Sequence, residues 1–303
     1  EGRKFANLSG GYTYQLHRFT FFGEVAWSKD NHWANLHGLS FYPSESAGLA
    51  LLYRNYQKEF SALHGYAMGE GSSVQNEEGF YFGLEWLPFK YTKVNLYADL
   101  FRFPWLRYGE KAPTDGSEYL INIDYAPQRE IDIQTRFKYE KKSTTVSNEQ
   151  FAGLVYGELY KWRIQAKMDY TKEWSGQARL AFSHFKQDTA NYDGWLLFYE
   201  HFYDPPESNL SASFRVNIFD VEDYTARIYT YERDVLYSFS VPSFQDTGVR
   251  YYLNIKWDIT ENISLYARVE QTIYLHKDEI SSGNELIEGS ERTAIHTKLR
   301  IKF

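Results

Sequence analysis

The chain has no cysteine, which excludes a disulfide framework, a thiolate metal site and a cysteine nucleophile. Long hydrophobic runs are missing too. The longest apolar stretches, such as Ala47 to Tyr53, fall far short of the ~20 residues that a membrane helix needs. Any membrane crossing must therefore use strands. No HExxH or GxSxG motif occurs, no glycine-rich phosphate loop is present, and the 8 histidines are dispersed. Neither a metal nor a cofactor is expected on that basis. Ser183 and His184 are neighbours, but adjacent strand residues point to opposite faces and cannot form a dyad. No enzymatic activity is expected, with a lipid-acting barrel enzyme as the outlying alternative. No proline-rich linker, internal repeat or low-complexity tract divides the chain, so residues 1–303 are expected to form a single domain.

What is abundant is aromatic. The 27 tyrosines, 22 phenylalanines and 8 tryptophans make up 19% of the residues, while charged residues remain at 24%. The mean hydropathy is −0.57. A soluble core has no need of so many tyrosines. An outer-membrane barrel does, because amphipathic rings form a girdle at each interface while charges fill a polar interior.

Several segments alternate apolar and polar residues with period two. Trp162, Ile164, Ala166, Met168 and Tyr170 oppose Arg163, Gln165, Lys167 and Asp169. Val249, Tyr251, Leu253, Ile255 and Trp257 oppose Arg250, Tyr252, Asn254 and Lys256, and similar patterns start at Ile131 and Ile263. One face of such strands suits hydrocarbon and the other a wet interior. A soluble antiparallel sheet with one solvated face would alternate in the same way. Aromatic residues at strand ends and strand lengths near ~9–11 residues favour the membrane. From Thr293 to the terminal Phe303 the alternation continues, and a last strand ending on an aromatic residue resembles the assembly signal of outer-membrane barrels.

Tight turns are expected near Leu16 to Arg18, Tyr42 to Ser46, Pro88 to Tyr91, Ala126 to Glu130, Tyr160 to Lys161, Asp220 to Asp223 and Asp258 to Asn262. Longer connections are expected near Asn55 to Glu78, Arg102 to Ser117, Lys141 to Ser147, Asp234 to Thr247 and His276 to Arg292. The fold class is thus all-β, a transmembrane antiparallel outer-membrane barrel of roughly 16–18 strands. No leader peptide opens the chain, so the numbering is expected to start after processing or trimming. With Phe303 periplasmic, an odd strand count puts Glu1 outside the cell, as in the carboxy-terminal part of a larger barrel. Pairing of Phe5 to Tyr14 with Thr293 to Ile301 would instead mark a closed barrel.

The segments LHGYAMGEGSSVQNEEGFYFGLEW (Leu63 to Trp86) and ADLFRFPWLRYGEKAPTDGSEYL (Ala98 to Leu120) resemble the barrel portion of Bacteroidota outer-membrane proteins that carry an amino-terminal helix-hairpin-helix domain. The resemblance implies a Gram-negative outer-membrane location and a barrel preceded by a small domain. That small domain is not in these residues, so no nucleic-acid site is carried over.

The inward set reads as basic. Lys93, Arg136, Lys138, Arg163, Lys167, Arg179, Arg215, Arg250, Lys256 and Arg268 are the candidate lining residues, and with Arg227, Lys298, Arg300 and Lys302 they outnumber Asp99, Asp124, Asp132, Asp169, Asp258 and Glu270, although the net charge is −7. Glu70, Glu77, Glu78, Asp278, Glu279, Glu285, Glu288 and Glu291 are assigned to loops. A positive interior would favour anions. Alternatively, the charges pair with one another and support a closed or plugged barrel. Phe103, Trp105 and Tyr108 mark an apolar loop that either constricts the interior or packs on neighbouring loops or a partner. The functional expectation is a porin-like passage or docking scaffold with acidic extracellular loops. The alternative is a non-conducting structural or assembly component. Expected partners are outer-membrane lipid and lipopolysaccharide, the barrel assembly machinery, and other outer-membrane proteins.

Overall fold

The computed structural model describes residues 6–29, 31–62, 64–148 and 151–303. Alternating sequence becomes strand almost throughout: β1 (Asn7–Leu16), β2 (Phe19–Ser28), β3 (Trp33–Ser44), β4 (Ala47–Tyr56), β5 (Glu77–Phe89), β6 (Thr92–Phe103), β7 (Thr114–Gln128), β8 (Ile131–Asn148), β9 (Phe151–Asp169), β10 (Trp174–Gln187), β11 (Ala190–Tyr203) and β12 (Leu210–Val221). Two short strands, β13 (Ile228–Tyr229) and β14 (Ser243–Phe244), precede β15 (Asp246–Asp258) and β16 (Ile263–Tyr274). A second short pair, β17 (Glu279–Ile280) and β18 (Ile287–Glu288), precedes β19 (Glu291–Ile301). The long strands form one 15-stranded sheet in the order β1 to β12, β15, β16, β19, so each pairs with its neighbours in sequence. Every pair whose register is described is antiparallel.

Two compact units make up the chain. One comprises Glu1–Ile123, Phe137–Tyr160 and Lys186–Thr189; the other comprises Asp124–Arg136, Lys161–Phe185 and Ala190–Phe303. In the first unit, short turns such as 17–18, 45–46 and 90–91 alternate with the long connections 57–76 and 104–113. His17 and Tyr91 take positive φ (55° and 66°), as tight hairpins demand. In the second unit the faces separate cleanly. Along β12, Ser213, Arg215, Asn217, Phe219 and Val221 are buried, while Phe214 and Ile218 between them are exposed. Exposed aliphatic and aromatic side chains on one face of a sheet are the surface that such a wall turns to hydrocarbon.

The count of 15 falls below the expected 16–18. The turns expected at Tyr160 to Lys161 and Asp220 to Asp223 account for the difference, and a third connection lies further along the chain than expected. Tyr160 and Lys161 lie inside β9, which runs unbroken for 19 residues, and Lys141 to Ser147 continue β8, which runs for 18. Asp220 belongs to β12, and the chain beyond Val221 does not turn back into a wall strand but enters a long connection, 222–245. Turn composition is a local signal, and neighbouring strands overrode it by offering pairing partners. β1 and β19 end the strand order and are not paired to each other among the described residues. Glu1 and Phe5 lie outside the described residues. Among those residues, no helix is long and apolar enough to cross a membrane.

Candidate functional site

The most elaborate polar arrangement lies in the second unit, where the connection 222–245 folds onto the polar face of the sheet. Asp223 starts it by capping a short 3-10 turn, accepting from the Thr225 amide at 2.8 Å and the Thr225 hydroxyl at 2.7 Å. Those bonds favour the charged carboxylate and lower the Asp223 pKa. β13 then pairs with β14, so Ala226, Ile228 and Phe244 face the sheet. There they meet Ala181, Leu196, Phe198, Phe219 and Val221, an apolar patch on a face that is otherwise polar. Burial of these groups is worth about 25 cal/mol per Å² and gives the segment a reason to stay inside.

Beyond β13 the segment is held by charge. Glu232 is fully buried. Its carboxylate accepts from Arg250 Nε at 3.0 Å and Nη2 at 2.9 Å, and from Arg268 Nη2. Arg250 and Arg268 also reach Glu270, at 2.8 Å and 2.7 Å. The backbone is gripped as well: Arg215 Nη1 donates to the Tyr231 carbonyl at 2.8 Å, Asn254 Nδ2 to the Arg233 carbonyl at 2.9 Å, and Arg268 Nη1 to that same carbonyl. These side chains share a face because of the register, in which Arg215 pairs with Tyr252 and Asn254 with Arg268. At the far end Asp234 meets His296 Nδ1 at 2.9 Å. Burial opposes ionisation of Asp234, but His296, the Val235 amide and nearby Arg268 outweigh it and hold the carboxyl below its ordinary pKa.

A second buried carboxylate, Glu200, accepts from Gln177 Nε2 at 2.6 Å, Tyr252 OH at 2.7 Å and Arg215 Nε at 3.0 Å. The Arg215 guanidinium lies 3.9 Å from the Phe198 ring centroid. In the first unit, Arg54 bridges Glu77 (2.6 Å) and Asp99 (2.7 Å). Glu77 also accepts from the amides of Glu70 (2.9 Å) and Gly71 (2.8 Å), so it clips the connection 57–76 to the wall. Gly79 is required beside it, since a Cβ there would stand 2.6 Å from the Arg54 guanidinium carbon.

The candidate lining residues fall into groups. Arg215, Arg250 and Arg268 converge on the inserted segment. Arg136, Arg163 and Arg179 stand on the consecutive strands β8, β9 and β10. Lys138 bridges Glu118 and Glu140, Lys93 pairs with Glu85, and Lys256 pairs with Asp258. Lys167 is exposed near the turn end of β9. Arg227 is not on a wall strand but in the inserted segment, where its Nε donates to Tyr229 OH at 2.6 Å. Glu77 and Glu78 are in β5 rather than a loop, and Glu291 opens β19.

The apolar loop packs on a neighbouring connection. Trp105 exchanges hydrogen bonds with Asn76, its amide donating to Asn76 Oδ1 at 2.8 Å and its carbonyl accepting from Asn76 Nδ2 at 2.9 Å. The Lys58 ammonium covers the Trp105 ring at 4.1 Å. Phe103 is buried at the end of β6 beneath Arg107, and Tyr108 is fully exposed. β19 ends at Ile301, two residues short of Phe303, which is also fully exposed. Ser183 is buried on one face while the neighbouring His184 bonds Asp193 at 2.7 Å.

Sequence reasoning missed Arg54, Glu200 and Glu232. The first two carried a signal, a charge beside a run of apolar residues in a strand. Glu232 carried none, because its partners lie on strands remote in sequence.

Among solved structures, the chain is similar to the copper transporter OprC, with a TM-score of 0.60 and 15% identity over 98% of this chain. The fold is that of an outer-membrane β-barrel. The chain spans 58% of the OprC chain. Weaker likenesses, which carry no argument here, are to CdiB from Acinetobacter baumannii (TM-score 0.44, 11% identity, 99% of this chain and 60% of that one) and to OmpT of Vibrio cholerae (0.42, 9%, 98% and 89%). No protein-family model matches the chain, and no curated protein does. The fold assigns the chain to the bacterial outer membrane.

Proposed function

We propose that this outer-membrane barrel forms a constricted passage for polar solutes, with a net basic interior and acidic extracellular connections. The observation that carries the reading is the segment 222–245, drawn onto the polar face and fixed by Glu232 between Arg250 and Arg268. A segment held inside a barrel by charge narrows it without filling it with a separate domain. Glu59, Glu70, Asp278, Glu279 and Glu285 on the long connections support the acidic outer rim. Among the described residues β1 and β19 each pair on one side only, and backbone groups cannot face hydrocarbon unpaired, so the proposal includes further pairing that completes the wall. Copper transport is not carried over from OprC, because a 15% identical likeness speaks to fold alone.

A non-conducting scaffold is the second reading, favoured by the dense pairing of interior charges. Planar-bilayer recordings separate the two. A passage gives stable anion-biased conductance that rises several-fold when residues 225–242 are replaced by a short glycine-serine link. Silence from both folded proteins sinks the passage.

A further inference from the structure

The inner-face arginines follow two different patterns. Arg54, Arg215, Arg250 and Arg268 each have a carboxylate partner. Arg163 and Arg179 do not have one within 4.0 Å among the described residues. Arg163 Nη2 donates to Gln134 Oε1 at 3.1 Å, and its Nε is buried with no partner. Arg179 donates to Gln165 Oε1 at 2.8 Å and to Thr230 Oγ1 at 3.2 Å. Glutamate at 134 or 165 would have the same reach and would supply the missing charge. The chain places amides there instead.

The two guanidiniums lie close enough to oppose each other electrostatically, and Arg136 adds to the repulsion on both. Among the described residues, Asp124 acts on Arg163 and Glu200 on Arg179. Asp124 accepts from Gln134 Nε2 at 2.7 Å and attracts Arg163, while Glu200 is committed to Arg215, Tyr252 and Gln177. Guanidiniums gathered at such cost, with a donor left open, match the forked geometry of oxyanions.

We propose that Arg163 and Arg179, with Arg136 beside them, form a binding site for the phosphate or carboxylate group of a soluble anion on the interior face. The site rests on the reading of that face as a water-filled interior, but it does not require conduction. Thr230 belongs to the inserted segment and touches Arg179, so a bound anion would sit at the edge of the constriction.

The test is isothermal titration of the purified full chain in uncharged maltoside micelles with pyrophosphate, at constant ionic strength set with chloride. Saturable binding is expected, weakened at least about tenfold in Arg163→Gln and in Arg179→Gln, as loss of a charge-assisted hydrogen bond implies. Lys93→Gln, at the turn end, should bind as the parent does. Gln165→Glu covers the case in which the arginine variants misfold: it supplies an internal counter-ion, so binding should fall while the melting temperature holds or rises. No saturable binding by the folded parent overturns the site, and so does unchanged affinity in the glutamine variants or in Gln165→Glu. Adding anionic phospholipid to the micelles should leave the affinity unchanged; competition would assign the site to a lipid headgroup and overturn the soluble-anion proposal. A barrel that binds pyrophosphate yet stays silent in bilayers would refute the passage and leave the site standing.

Discussion

Removing the Glu232 carboxylate tests whether charge holds the inserted segment in place. In Glu232→Ala, Arg250 and Arg268 both lose a fully buried partner. Breaking a buried ion pair from one side costs about 3–5 kcal/mol, because the remaining charge stays desolvated. Both arginines keep Glu270, at 2.8 Å and 2.7 Å, so the lower end applies, about 3 kcal/mol. The wall has its own backbone ladders, with β12 paired to β15 over its whole length. The cost should therefore appear as local opening of 222–245 and not as loss of the barrel. At about 1.4 kcal/mol per decade, 3 kcal/mol raises the open population by roughly a hundredfold.

Hydrogen exchange of the protein in micelles reads this directly. Peptides covering 228–240 should exchange about a hundred times faster in Glu232→Ala, while peptides from β12 and β15 stay protected. Trypsin should cut sooner at Arg227 and Arg233. A triple variant, Glu232→Leu with Arg250→Met and Arg268→Met, controls for the buried charge; replacing all partners by apolar groups should restore much of the protection. Protection within twofold of the parent in Glu232→Ala would refute the electrostatic anchor and leave the apolar contacts of Ile228 and Phe244 as sufficient.

Three further outcomes are expected. Ile164→Arg and Leu253→Arg place charge on the exposed apolar face and should each cost about 2–4 kcal/mol in reconstituted folding, whereas Lys256→Gln on the opposite face should cost far less; equal costs would reverse the assignment of faces. Deleting the exposed Phe303 should lower the amount of protein assembled in cells without changing the melting temperature of what is assembled, and normal assembly would remove its role as a signal. Because the Asp234 carboxyl is held below its ordinary pKa in the folded chain, its link to His296 stabilises the segment above the ordinary carboxylate range and is lost as pH falls through the depressed value. Exchange of 232–236 should thus accelerate on acidification, and Asp234→Asn should abolish that dependence; an identical pH response in the variant would refute the link.

The wall was legible because two solvents write it. A wall with one apolar and one polar side forces a period of two, and the run from Trp162 to Asp169 carries it. What escaped depends on partners distant in sequence. Tyr160 and Lys161 have turn-compatible composition, yet they lie in a strand that outruns the usual crossing. The apolar loop at Phe103 to Tyr108 drew attention because hydrophobicity is visible locally, while the segment 222–245 is held on the polar face of the sheet by Glu232. One clue was available: β11 is apolar on both faces from Trp195 to Tyr199, with Leu196 and Phe198 buried opposite the exposed Trp195, Leu197 and Tyr199. A strand of an open polar interior needs no such second face. Something had to cover it.

The division of labour between arginine and lysine follows from what each position must hold. Among the described residues Arg54, Arg215, Arg250 and Arg268 are buried cations, and each makes several bonds at fixed angles: Arg268 reaches Glu232, Glu270 and the Arg233 carbonyl at once. A planar guanidinium meets such a set with little further loss of freedom, whereas an ammonium is a strongly hydrated point charge. Lysines sit in less buried pairs, several of them exposed, as in Lys93 with Glu85 and Lys256 with Asp258, where water screens both charges and the net gain is small. Arginine therefore does the anchoring in the interior. Arg163 and Arg179 have the same form without a carboxylate to hold, and an anchoring role alone does not explain them.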